Sequence, residues 1–406
     1  MDFELNEKQK RWRAVARDFA NDVVRPVSQE LDGRTNPLDC FDWSIIEAAD
    51  SCGMRISPLP AQWGGDSTDH LTQVLMLEEL SAADMGVAVT LAGAWRTMRW
   101  LLAEASPQQL NNWLPRVSGN ARGLLAAALT EPEAGSDNML PYAGTDGGMK
   151  MSAVRSGGNW VLNGTKKYVT NANRADVIIV FARTDNEKSL LEGVTAFIVG
   201  ADTPGLTVGT IFNKSGERLA NNSELFFEDV VVPDSDRLGA VGGGLYSFGK
   251  HQRATSAYNA ATVYGVAREA LRRSLVWTRS RIQGGKPIHQ HQAVGAYLAD
   301  MLGAVDVART YAWRAAWAAD NPEHFNVALN AFPKIFAAEQ SMAVVAKCME
   351  LFGGASIMRD VGVEKLLRDA SVFLHSDGTN IILRQRIATW LGTIAEQDFD
   401  TLWTPG

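Results

Sequence analysis

Cysteine is nearly missing from this 406-residue chain: Cys40, Cys52 and Cys348 stand far apart, with no CxxC pair and an odd total. That argues against a disulfide framework or a structural zinc site and fits a reducing cytoplasm, the expected compartment. Long hydrophobic runs are missing too. None approaches the roughly 18 residues that a membrane span requires. The opening MDFELNEKQKRWRAVARDF mixes charges with single apolar residues and builds no signal-peptide core. Nor is there a surplus of positive charge. With 39 Lys and Arg against 46 Asp and Glu, the net charge is −7, which argues against a broad nucleic-acid surface.

Common catalytic signatures are also absent. The stretch Gly239 to Gly244 looks like a dinucleotide loop, but no strand–loop–helix context surrounds it. His289 and His291 have no nearby Cys or carboxylate to complete a metal site, so no metal is expected. There is no GxSxG elbow and no nucleophilic-cysteine signature. The 12 tryptophans are expected to be mostly core.

What is present is a change of texture along the chain. Trp12, Val15, Ala16, Phe19 and Val23 recur at helical spacing, a face expected to end near Pro26. Leu71–Leu80 and Val87–Leu102 continue that period. From about Leu124, short apolar runs alternate with Gly, Asn and Asp turns, as in an antiparallel β domain. After Gly239 the helical period returns, over Tyr258–Arg281, His291–Ala319 and Pro333–Leu351. The expected class is α+β, in three domains: helical over 1–123, antiparallel β over 124–235 and a four-helix bundle over 236–406.

Four segments carry chemistry, in this order. They are Leu129-Thr130-Glu131-Pro132-Glu133-Ala134-Gly135-Ser136-Asp137, Asn163-Gly164-Thr165-Lys166-Lys167-Tyr168-Val169-Thr170-Asn171-Ala172, Arg281-Ile282-Gln283-Gly284-Gly285-Lys286-Pro287-Ile288 with His291-Gln292, and Phe352-Gly353-Gly354 through Arg368-Asp369 to Asp377-Gly378-Thr379-Asn380. Together, and over nearly the whole chain, they resemble the acyl-CoA dehydrogenase family of flavoproteins. The Trp63-Gly64-Gly65 loop and the Phe227-Glu228-Asp229-Val230 strand fit the same family.

The resemblance implies FAD. Leu129 and Thr130 would bond the isoalloxazine edge, while Gly135 and Ser136 let backbone approach closely. Tyr168, Val169 and Thr170 would pack on a flavin face, with Tyr where the family commonly has Trp. Arg281 would pair with the pyrophosphate, a task suited to a guanidinium, and would come from a neighbouring subunit. Gln292, Glu350, Gly353, Gly354 and Thr379 complete the implied cofactor contacts, the glycines through backbone N–H groups. A homotetramer, as a dimer of dimers, follows from the same resemblance.

The family's base is a carboxylate just before Gly-Thr, usually Glu; here it is Asp377. The second position used by some branches is Gln252, next to Arg253, and an amide cannot take a proton. Ser136, Gly378 and Arg253 are implied substrate contacts. Trp95 falls on the helix that would line the distal acyl pocket. An inward indole there favours a short, branched or cyclic acyl group, and an inward Arg96 a polar or carboxylate tail. The alternative is that Trp95 is core while Arg96 and Arg99 face solvent. The implied reaction is α,β-dehydrogenation of an acyl-CoA, with electron-transferring flavoprotein as acceptor. Water exclusion should raise the Asp377 pKa. Gly284, Glu350 and Ile381 depart from the family pattern. A CoA-independent flavoenzyme of the same fold, resembling nitroalkane oxidase, and a flavin-binding protein without turnover are the alternatives.

Overall fold

The computed structural model describes residues 4–140, 145 and 147–397; the chain ends assigned to the outer domains, 1–3 and 398–406, lie outside the described residues. Short polar side chains set the helix starts. Asn6 and Gln9 form a capping box that opens α1 (Glu7–Phe19). Its apolar face does not end near Pro26. A π-helical turn, Ala20–Val24, carries the chain into α2 (Arg25–Asp32), where Pro26 sits in the first turn and its missing N–H costs little. Asp42, Asp69 and Asp84 cap α3 (Trp43–Ser51), α4 (His70–Ala83) and α5 (Met85–Glu104), and Ser106 caps α6 (Pro107–Ser118).

The next elements are β1 (Leu125–Ala128), β2 (Ser152–Ser156), β3 (Asn159–Thr170), β4 (Val177–Arg183), the single turn α7 (Leu190–Gly193), β5 (Val194–Gly200), β6 (Leu206–Ile211), β7 (Asn222–Pro233) and β8 (Arg237–Leu238). The strands form one sheet in the order β6-β7-β3-β2-β4-β5-β8, with β1 against β4. Most pairs are antiparallel, but β1 runs parallel to β4 and β2 makes one parallel bridge to it, so the sheet is mixed. Neither strand's own pattern shows this, because partner choice is settled by the long excursion between β1 and β4. β4 and β5 are buried at every residue, which explains their unbroken apolar runs.

The last third is helical: α8 (Gly244–His251), α9 (Thr255–Ser280), α10 (Gln292–Asp320), α11 (Phe332–Phe352), α12 (Val363–Val372) and α13 (Asn380–Leu391). A hairpin of β9 (Ile282–Gln283) and β10 (Lys286–Pro287) joins α9 to α10. Its tip needs two positive φ angles, supplied by Gly284 and Gly285. α9, α10 and α11 pack on one another, α12 lies on α9 and α11, and α4 lies alongside α9 and α10. One continuous apolar core runs from Trp12 through Trp95 and Trp100 to Tyr258 and Trp313, and a second fills the sheet around Trp160, Phe197 and Phe227.

Buried charges bind these layers. Glu78 and Glu79 of α4 are almost wholly enclosed. Arg13 of α1 meets both, at 3.2 and 2.9 Å, Arg309 of α10 meets Glu78 at 2.9 Å, and Arg268 of α9 bridges the two. A second network joins α2, α5 and α12. Asp84 caps α5, accepts from the Ser28 hydroxyl at 2.5 Å and pairs with Lys365 at 2.9 Å. Lys365 also holds Asp369 at 2.6 Å, and Asp369 accepts from the Glu217 backbone N–H at 2.7 Å. Burial would lower the lysine's pKa, but Asp369, Asp84 and Asp32 hold it above the ordinary value.

Lys365→Met should strand two interior carboxylates and cost about 3–5 kcal/mol, read as a fall in the urea unfolding midpoint. A loss under about 1 kcal/mol would mean that the network carries little of the stability.

Candidate active site

The loop after α12 is fixed from three sides. Asp377 and Gly378 both take positive φ, 52° and 83°. Asp tolerates that conformation better than most residues. A Cβ on Gly378 would lie 2.8 Å from the Met139 sulfur. Thr379 caps α13 by accepting from the Ile382 N–H at 3.3 Å, and its own N–H donates to Ser136 Oγ at 3.2 Å. From beneath, Lys334 Nζ donates to Gly378 O and Asn380 Oδ1, both at 2.8 Å.

On the open side stands Arg96 of α5. Its Nη1 lies 2.8 Å from Asp377 Oδ2, with side-chain exposures of 24% for Arg96 and 37% for Asp377. The pair is therefore partly open to solvent. Burial pushes the Asp377 carboxyl up, but the Arg96 charge and hydrogen bond, the Lys334 charge and a hydrogen bond from Asn259 outweigh it and hold the pKa below the ordinary aspartate value. In the open site the cations thus win over desolvation; the upward shift expected from water exclusion concerns the covered site. Gln252 sits buried between α8 and α9 and donates to the Arg96 carbonyl at 3.4 Å. Arg253 lies over the Phe325 ring at 5.6 Å.

The first two predicted segments lie close by, through Ser136 on the Asp377 loop and Thr170 on α5. The Leu129 carbonyl accepts from Lys166 Nζ at 3.1 Å and the Thr130 carbonyl from the Lys167 N–H at 2.8 Å. Lys166 is buried against Glu131 at 2.7 Å. Gly135 donates to Asp137. Val169 is buried, whereas Tyr168, at φ 60°, is 54% exposed and leans on Phe212. Gly93, one turn before Arg96 on α5, faces Thr170. Thr170 Oγ1 accepts from Asn222 at 3.0 Å, and Ser136 Oγ accepts from Thr379. Each hydroxyl so engaged keeps its proton to donate. Two such donors beside an exposed aromatic ring fit the acceptor-rich edge and flat face of a flavin.

Other predicted residues lie elsewhere. Trp95 is not at the open site: it is fully buried, and its indole N–H donates to the Met54 and Arg55 carbonyls at 3.2 and 3.0 Å. It is a core residue, because an indole buried there finds its polar partner inside the N-terminal helices. Arg96 and Arg99 do not share solvent either, since Arg99 donates to Gln73 at 2.9 Å. The Gly353 N–H is not offered outward, because it caps α11 on the Glu350 and Met349 carbonyls. Glu350 accepts from the Tyr297 hydroxyl, which answers its charge within the helix pair. Arg281, Gln292, Gly353 and Gly354 are exposed at the hairpin end of the bundle. Asn259, beside Asp377, and Arg281 stand about 33 Å apart along α9 at the helical rise. One chain does not gather both groups. Lys334 and Asn259 were missed by sequence reasoning; the available signal was a lysine in the otherwise apolar Phe332-Pro333-Lys334-Ile335-Phe336 run.

Three family models match consecutive stretches: acyl-CoA dehydrogenase N-terminal domain over 6–120, middle domain over 126–230 and C-terminal domain over 244–392. Cyclohex-1-ene-1-carbonyl-CoA dehydrogenase of Geobacter metallireducens is 35% identical over 380 residues, covering 94% of this chain and 97% of its own. The butyryl-CoA dehydrogenase structure from Megasphaera elsdenii superposes with a TM-score of 0.89 at 30% identity, covering 96% of this chain and all of that one. PigA with FAD and proline gives 0.87 at 29% identity, covering 97% and 99%.

Two substitutions check the geometry. Trp95→Ala should cost about 3–5 kcal/mol of stability by opening a core cavity; a loss below about 1 kcal/mol would return Trp95 to the acyl-pocket reading. Arg96→Gln removes a cation, so the Asp377 pKa should rise. Infrared pH titration, with Asp377→Asn as the subtracted reference, should show the protonated carboxyl persisting to higher pH. An unmoved titration would mean the 2.8 Å pair is not formed in solution.

Proposed function

The chain belongs to the acyl-CoA dehydrogenase family, and from that premise we propose that it is an FAD enzyme that α,β-dehydrogenates an acyl-CoA thioester with Asp377 as the base. The observation that carries this is the Asp377 carboxylate: ionised, partly open, and fixed where α5, the Ser136 loop and the Thr170 edge converge. FAD, when bound, supplies the two-electron acceptor for the β-hydride. Asp377 takes the α-proton, and the Cα–H electron pair becomes the new C=C bond as hydride leaves Cβ. A backbone N–H of the Asp377 loop steadies the charge that develops on the thioester oxygen. Leu129, Thr130, Ser136 and Thr170 hold the ring edge, Tyr168 and Val169 cover a face, and Thr379 fixes the loop against Ser136. Ser136, Gly378 and Arg253 border the thioester.

Arg281, Gln292 and Gly354 then serve FAD on a second copy, which the 33 Å separation along α9 supports. Exposed apolar residues Leu302 and Val307 on α10 suit burial between subunits. We read the assembly as a homotetramer, a dimer of dimers, of three-domain chains divided at 1–123, 124–235 and 236–406. Electron-transferring flavoprotein is the proposed acceptor.

Arg96 sets the acyl group in this reading. A long alkyl chain at this site would strip water from the guanidinium without offering a partner, so a short, branched or cyclic acyl group fits, best with a polar or carboxylate substituent. The cyclic substrate named for the Geobacter relative supports the cyclic choice. The 2.8 Å Arg96 pair favours the CoA-independent alternative: a carboxylate held below its ordinary pKa by a neighbouring guanidinium suits a more acidic carbon acid such as a nitroalkane.

Anaerobic bleaching of the bound flavin separates these. Butyryl, cyclohexanecarboxyl and glutaryl thioesters should bleach it, and palmitoyl should be poorest in kcat/KM. Asp377→Asn should keep the yellow cofactor and lose about 10²–10⁴-fold in reduction rate. Bleaching by nitroalkanes alone would transfer the protein to the oxidase-like reading; no bleaching at all would favour flavin binding without turnover. Arg96→Met should improve butyryl relative to glutaryl thioester, and an unchanged ratio would take Arg96 out of substrate choice.

A further inference from the structure

We infer that Lys334 is a positioning residue for Asp377: its buried ammonium pins the Gly378 carbonyl and supplies, besides Arg96, a second cation near the carboxylate. The inference rests on Asp377 being the base. Lys334 is fully enclosed on the first turn of α11, and its backbone N–H donates to Ser256 Oγ at 3.0 Å. Its Nζ contacts are neutral, the Gly378 carbonyl and the Asn380 amide oxygen, each at 2.8 Å.

Burying an ammonium is costly, and two neutral acceptors would be served as well by a neutral donor. The charge is therefore what needs a reason, and Asp377, the residue before the Gly378 that Lys334 binds, is a carboxylate acting on it, with Glu339 the other. The Gly378 tie also matters for shape. Asp377 and Gly378 hold consecutive positive φ angles, a conformation that L side chains disfavour and that the surroundings must impose. Thr379 on Ser136 restrains the loop from the middle of the chain, and Lys334 restrains it from the bundle.

Other charged and polar groups face the pair from each neighbouring element. Arg96 comes from α5 and Asn259 from α9. Glu217, from the loop before β7, adds negative charge. Glu339 of α11 binds Arg384 of α13 at 2.8 Å, next to Lys334, and His375 is exposed on the loop itself. Burial lowers the Lys334 pKa to about 8, with Asp377 and Glu339 opposing that fall and Arg384 adding to it.

The test uses the full-length, FAD-loaded protein with Lys334→Met and Lys334→Gln. Both remove the charge, so infrared titration of the Asp377 carboxyl, referenced to Asp377→Asn, should move up by about one pH unit in each. The high-pH plateau of flavin reduction by butyryl-CoA should fall about 10²-fold in Lys334→Met, through misplacement of the base. It should fall less in Lys334→Gln, whose amide can still donate to Gly378, while butyryl-CoA affinity holds in both. A carboxyl titration unmoved in Lys334→Gln overturns the inference, and so does a wild-type plateau in a folded Lys334→Met. If Lys334→Met does not fold, the Gln variant decides alone. Normal flavin reduction in Asp377→Asn would instead reject Asp377 as the base, and the carboxyl shift would still report whether Lys334 acts on it.

Discussion

Glu78 and Glu79 enter the interior on α4, and the cations that meet them come from α1 and, more than two hundred residues later in the sequence, from α9 and α10. An interior carboxylate left alone would be neutralised or expelled, so these helices must pack where their arginines can reach. Asp84 makes the same demand at the start of α5, answered by Lys365 of α12. The two networks fix α4 and α5 against the C-terminal helices. They thereby set where the Arg96 face of α5 stands relative to the loop after α12.

The same rule continues into the site with one difference. Glu78 and Asp84 are closed off from water, whereas more than a third of the Asp377 side chain is open. Its two cations differ as well. Lys334 is enclosed and fixed by neutral partners, while Arg96 is partly exposed and bonded to the carboxylate itself. One partner thus belongs to the frame and the other to the open site. A frame built from paired charges leaves one pair open, at the proposed site.

Much of this was legible in the sequence, and the gaps have physical causes. Helical period located α4, α5 and the long C-terminal helices, because each buries an apolar face. Pro26 misled, since a π turn let the chain continue past it. The parallel placement of β1 could not be read because it depends on a partner about fifty residues away. Motif order brought the Ser136 and Asp377 loops into one reading, and the structure joins them through Thr379. Trp95 was left between acyl pocket and core because its helix was placed but its rotation was not, and the structure shows the core reading. The same helix turned slightly presents Arg96 instead, and helical spacing alone cannot choose between adjacent residues. Lys334 was hidden for a related reason: a lysine on an apolar helix reads as a solvent-seeking side chain until its neutral acceptors are seen.

The Arg96 pair sets a chemical problem that the acyl group must solve. A carboxylate held below its ordinary pKa is a poor acceptor for an α-proton, whose own acidity is weak. Two changes can restore its basicity. Covering the site removes water, which favours the uncharged form of the carboxyl. That alone works against two nearby cations, one of which bonds the carboxylate at 2.8 Å. Drawing Arg96 toward a polar group on the acyl chain removes the larger of the two opposing effects. An acyl group with such a substituent would then be both recognised and activated by one guanidinium. A plain hydrocarbon would leave the base paired and acidic. In the proposed reaction, selection of the substrate and release of the base would be the same event.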